Sequence, residues 1–187
     1  MRPRNQSLLA LALLTLLSGC AARTLGDLRA DLRDGRGHLI ETVPFIPQED
    51  YYCGPASLAM LLSYWGVAAD QESIAREIFI ESIKGTLNLD LELYARRRGL
   101  EARSFRGNLE EVRLHLRQNH PLIVFQDLGL GPYEVPHFAV LVGYDDARQQ
   151  VIAHSGTTQY KPVSYAEFLR TWDRRQRWTL LITPKSP

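Results

Sequence analysis

Cysteine is scarce in this sequence: 187 residues contain two, Cys20 and Cys53. An exported chain could pair them, unless one is already used elsewhere. A dominant charge is missing too, since 22 Lys and Arg stand against 21 Asp and Glu. Charge therefore draws the domain neither to nucleic acid nor to an anionic membrane, and no nucleic-acid partner is expected. Internal repeats and low-complexity tracts are lacking outside the N-terminus. No phosphate-cradling P-loop is present, so ATP binding is not expected in this chain, and the N-terminal apolar run is shorter than the roughly 20 residues of a bilayer span.

What is present starts with an export signal. Arg2 and Arg4 precede an apolar run from Leu8 to Leu17, and the small residues Ser18 and Gly19 follow. Leu17-Ser18-Gly19-Cys20 resembles the lipobox of bacterial lipoproteins, which implies a lipid on Cys20 as the new N-terminus. Ala21 is not the Asp that favours inner-membrane retention in such proteins, so the expected location is the periplasmic face of the outer membrane. Residues 1–20 are thus a signal peptide, 21–38 a charged tether or short surface helix, and 39–187 one folded domain. Lipidation leaves Cys53 as a free thiol in an oxidising compartment.

A strand is expected over Ile40–Pro47, then a loop at 48–52. The apolar stretch from Cys53 to Trp65 reads as a buried helix, with Pro55 in its first turn and Gly66 as its stop. Helical periodicity recurs at Gln71–Ile80, Leu87–Arg98 and Leu109–Asn119, where Asn108 is a plausible N-cap. After Pro121 the pattern becomes β-rich: Leu122–Gln126, His137–Tyr144, Val151–His154 and Trp178–Thr183, with a helix near Tyr165–Trp172. A helical half with the Cys at a helix start, packed on an antiparallel sheet with the His, makes an α+β domain with its site in the groove between.

A thiol attacks as thiolate, and a helix N-terminus or a neighbouring His lowers its pKa. Cys53 is expected to have both. Its own backbone N–H, with the side-chain amide of Gln48, can stabilise a developing oxyanion. His137, at a strand start after Pro136, can take the thiol proton and return it to the leaving amine. His38 falls in the tether, His115 in an amphipathic helix and His120 beside a loop proline; only His137 and His154 fall on strands.

Val43-Pro44-Phe45-Ile46-Pro47-Gln48, Tyr52-Cys53-Gly54-Pro55-Ala56-Ser57-Leu58-Ala59-Met60 and His137-Phe138-Ala139-Val140-Leu141-Val142-Gly143-Tyr144 together resemble the C39 and C39-like cysteine peptidases, the bacteriocin-processing type. The resemblance runs from about Val43 to Thr183. It implies a papain-like fold, with Cys53 as nucleophile, His137 as base and Gln48 as oxyanion-hole amide. In that family an Asp followed by Pro, on the strand after the His strand, usually orients the His. Here the strand is Val151-Ile152-Ala153-His154-Ser155-Gly156, with no acid, and His154 is aligned near that place. Its imidazole or the Ser155 hydroxyl could accept the His137 ring N–H, each stabilising an imidazolium less than a carboxylate does. Asp145-Asp146 read as a turn.

The expectation is a lipid-anchored cysteine peptidase of the cell envelope that cleaves a peptide or protein substrate through a thioester, without metal or organic cofactor, with an export or assembly system as a possible partner. Two alternatives stand beside it. One is a cell-wall amidopeptidase resembling the NlpC/P60 class, whose third catalytic residue is often a His, although that class follows its Cys with Ser-Gly where this chain has Gly54-Pro55. The other is an inert lipoprotein that keeps the cleft to bind a peptide.

Overall fold

Polar side chains set the helix starts. Asp70 accepts the Ser73 N–H at 2.7 Å and opens the helix Gln71–Ile78, Asn108 accepts the Glu111 N–H at 3.0 Å and opens the helix Leu109–Arg117, and Ser164 accepts the Glu167 N–H at 3.2 Å and opens the helix Tyr165–Asp173. The computed structural model describes residues 25–32 and 35–185, in two units, Met1–Asp31 and Leu32–Pro187. The signal peptide and Cys20 lie outside the described residues. The first unit contributes one described helix, α1 (Leu25–Asp31). The second runs β1 (Gly37–Leu39), α2 (Cys53–Tyr64), α3 (Gln71–Ile78), a 3-10 turn (Glu81–Ile83), α4 (Asn88–Arg97), β2 (Glu101–Arg106), α5 (Leu109–Arg117), β3 (Leu122–Asp127), β4 (Pro136–Asp145), β5 (Gln150–Ser155), β6 (Thr158–Ser164), α6 (Tyr165–Asp173) and β7 (Trp178–Thr183).

The strands form one antiparallel sheet ordered β2-β7-β3-β4-β5-β6, with β1 added beside the far end of β4. β4 is buried at every position after Pro136 because both of its faces are covered. Alternation divides it: Phe138 pairs with Phe125 and Val140 with His154 on one face, while His137 pairs with Gln126 and Leu141 with Ala153 on the other. α2 lies on the Phe138 face, where a Cβ built on Gly54 would come 3.4 Å from the Phe138 ring. α6 covers the opposite face, where Gln126 donates to the Thr171 hydroxyl at 2.6 Å.

Residues 54–62 of α2 are all buried, which explains an apolar sequence with no polar stripe. The helix stops as expected, with Gly66 at φ 77° and the Trp65 indole donating to Ile182 O at 2.8 Å. The expected strand at Ile40–Pro47 does not form. One bond, Ile40 N–H to Val142 O, continues the ladder beyond β1, and then the chain turns at 41–43 and runs on irregularly through Pro44 and Pro47, which have no N–H to give a partner strand. Three strands, β1, β2 and β6, form where none was expected.

Candidate active site

The loop before α2 is tightly fixed. The Gln71 side chain donates to Pro47 O at 3.0 Å and accepts the Glu49 N–H at 3.1 Å. The Gln48 N–H donates to Gly156 O at 3.1 Å, tying the loop to the turn after β5. Tyr51 then takes a left-handed φ of 64°, and the chain enters α2 with Cys53 at its first turn. Backbone N–H groups of Phe138, Gly54 and Cys53 itself converge on the Cys53 sulfur. The thiol thus sits against the start of β4, at the residue next to His137.

The His137 ring is also held: its Nε2 lies 2.9 Å from the Ser155 hydroxyl. The sequence leaves His154 and Ser155 as the two candidates for that place, and His154 lies elsewhere. It pairs with Val140, on the opposite face of the sheet from His137, where Nε2 meets Val43 O at 3.3 Å and Nδ1 accepts the Tyr160 N–H at 3.2 Å. Phe45 and Tyr160 pack edge-on to its ring. His154 is a structural link between the segment leading to Cys53 and the sheet. Asp145 is occupied at a turn, accepting the Arg148 N–H at 3.0 Å, as its sequence indicates.

Burial dominates the electrostatics. It pushes the Cys53 thiol above its ordinary value despite the opposing pull of the Phe138, Gly54 and Cys53 N–H groups, contrary to the expectation of a lowered thiol. Burial, helped by the positive charge of Lys161, lowers His137 to about 4. The resting pair is a neutral thiol and a neutral imidazole. The Gln48 Oε1 is buried without a hydrogen-bond partner.

A cleft of about 780 Å³ opens beside the thiol, with Cys53, Thr86, Leu87, Val135 and Phe138 among its walls. Ile83, Leu87, Leu89 and Val135 on its rim are more than half exposed, an apolar surface that solvent does not favour. Thr86, Ser155 and Lys161 meet the site through contacts between distant segments. Of these, sequence pointed to Ser155 alone, by its neighbourhood to His154.

A Cys at the start of a buried helix, lying against a sheet strand that carries a His, within this mixed helix and antiparallel-sheet architecture, is the papain-like cysteine peptidase fold. Residues 40–179 match the Peptidase_C39-like family, and the chain belongs to it. Solved structures agree. A C39-like peptidase of Bacillus anthracis aligns with a TM-score of 0.65 at 19% identity, covering 80% of this chain and 99% of that one. A double-glycine-motif protease from an AMS/PCAT transporter, in complex with its leader peptide, gives 0.61 at 25% identity over 79% and 95% of the two chains. The peptidase domain of Streptococcus ComA, a bifunctional ABC transporter of a quorum-sensing pathway, gives 0.58 at 22% over 76% and 99%. No curated protein matches the chain.

Proposed function

We propose that this chain is a cysteine peptidase that hydrolyses a peptide bond through a thioester on Cys53, with His137 as base. The observation that carries the reading is the Ser155 hydroxyl at 2.9 Å from His137 Nε2, on a strand whose next residue meets the thiol. With Nε2 engaged there, Nδ1 takes the thiol proton as Sγ attacks the substrate carbonyl. The oxyanion accepts the Cys53 N–H and, on rotation of its amide, the Gln48 Nε2–H. Collapse of the tetrahedral adduct breaks the C–N bond while the imidazolium returns its proton to the leaving amine. Water, deprotonated by His137, then hydrolyses the thioester and frees the thiol.

The substrate is a peptide or protein segment. The apolar cleft suits one, and a relative with the same fold holds a leader peptide. The proposed setting is the periplasmic face of the outer membrane, through a lipid on Cys20, beside an export or assembly system. A second reading, a peptide-binding lipoprotein without turnover, is favoured by one observation: a hydroxyl replaces the carboxylate that would stabilise the imidazolium. The amidopeptidase alternative loses its main support, since His154 is held by Val43 and Tyr160.

Iodoacetamide alkylation of Cys53 across pH, in wild type and His137→Ala, separates the first two readings. A peptidase gives a neutral-pH rate at least about tenfold faster in wild type, as general-base assistance requires. Equal slow rates in both proteins, rising only as the thiol ionises, leave the binding lipoprotein.

A further inference from the structure

We propose that Thr86 is a substrate-binding residue whose hydroxyl holds the peptide main chain beside the scissile bond, an inference that rests on the peptidase reading of Cys53. Thr86 is nine-tenths buried, yet its Oγ1 has no hydrogen-bond partner. An orphaned buried hydroxyl is costly, and native proteins keep one where a ligand completes it. The position is specific. Thr86 lies in the cleft wall, and a Cβ built on Gly54, the residue after Cys53, would meet Thr86 Cβ at 3.2 Å, its Oγ1 at 3.3 Å and the Phe138 ring at 3.4 Å. The hydroxyl therefore stands over the first turn of α2, next to the thiol.

Leu87, Val135 and Phe138 flank it in a cleft that Tyr51, Lys84, Asn88 and Glu134 also line, and of these residues Thr86 has the buried oxygen without a partner. A hydroxyl in that setting can accept an amide N–H or donate to a carbonyl, and a peptide presents both at every residue. It selects for main chain, whatever side chains flank the bond. Gly54 keeps the approach open, because any side chain there would press on Thr86 and Phe138. Thr86 thus fixes the reacting carbonyl relative to Sγ.

The test compares two alkylating agents on the folded domain. Iodoacetamide has no peptide chain to hold, whereas acetyl-Leu-Leu-Gly-chloromethyl ketone must seat its backbone to react. Thr86→Val keeps the shape and removes the hydroxyl; Thr86→Ser keeps the hydroxyl. Thr86→Val is expected to slow inactivation by the peptidyl reagent about tenfold, the effect of one lost hydrogen bond, while Thr86→Ser stays within about twofold of wild type. The iodoacetamide rate stays the same in all three. An unchanged peptidyl rate in Thr86→Val, an equal fall with both reagents, or a wild type that does not react with the peptidyl reagent overturns the proposal. The peptidase reading fails separately, through loss of the His137 dependence of the iodoacetamide rate.

Discussion

A hydroxyl beside His137 in place of a carboxylate changes what the imidazole is at neutral pH. Ser155 can accept the ring N–H but brings no negative charge, so nothing opposes burial and the Lys161 charge, and His137 stays near 4. Ser155→Asp adds the missing charge within hydrogen-bond distance and should raise that pKa by roughly one to three pH units. It should also favour thiolate and imidazolium and speed peptide hydrolysis by at least about tenfold. Histidine proton resonances followed through a pH titration read the first effect, and hydrolysis rates the second. A His137 titration unmoved by Ser155→Asp would mean that the hydroxyl contact is not the orienting one. Ser155→Ala, leaving Nε2 without its partner, should act the other way.

The segment 128–135 forms one side of the cleft, and a single buried carboxylate holds it. Asp127 Oδ1 accepts the Gly129 N–H at 2.9 Å and the Val135 N–H at 2.8 Å, and its Oδ2 lies 3.2 Å from Arg174. Burial alone would raise the Asp127 pKa, but the Val135 and Gly129 donors and the charges of Arg174 and Arg175 hold it below the usual carboxylate value. Arg174 also donates to Gly129 O at 2.7 Å and Gly131 O at 3.1 Å, closing the strap. Asp127→Ala should cost about 3 kcal/mol in denaturant unfolding, since it strands two N–H groups and a partly buried guanidinium. It should also weaken seating of the peptidyl reagent, because Val135 and Pro136 line the cleft. Full stability in Asp127→Ala would show that Arg174 alone suffices.

Elements differ in how openly the sequence declares them. Capped helices and the interior strands β3, β4, β5 and β7 are legible, because burial demands apolar runs and caps demand Asp, Asn or Ser. The edge strands β2 and β6 are not: Glu101-Ala102-Arg103-Ser104-Phe105-Arg106 and a segment holding Lys161 and Pro162 lie largely exposed, with the charges and proline that guard a free edge. Cys53 and His137 are legible from their flanking motifs. Choosing between His154 and Ser155 is not, because one residue of register moves a side chain to the other face of a sheet. The pairing of Val140 with His154 decides it in space. Thr86 gives no sequence signal, since its meaning comes from contact with Gly54, 32 residues earlier.

At the scale of the whole molecule, two buried neutral imidazoles make the fold sensitive to acid. His137 and His154 both titrate near 4, lowered chiefly by burial, against 6.5 in an unfolded chain. For a depressed His the unfolded state binds the proton first, so stability is intact above pH 6.5, declines as pH falls, and stops declining below about 4. Each group contributes up to about 3 kcal/mol across that window. His115, lowered by burial and by Arg103 and His120, and His120, lowered by burial, act with the same sign. The carboxylate of Asp127 carries acid sensitivity lower still, because its native pKa lies below the usual value. Denaturant unfolding at pH 7.5, 5.5 and 4.5 should show a steep loss of stability, and His137→Gln should remove about half of the part due to the two buried rings. On the peptidase reading, hydrolysis depends on the same proton, since protonated His137 cannot act as base. Activity should hold to about pH 5 and fall toward 4, with recovery on return to neutral pH wherever the protein has stayed folded. A stability profile flat from pH 7.5 to 4.5 would mean that the two rings charge without cost, and the neutral resting pair would be lost with it.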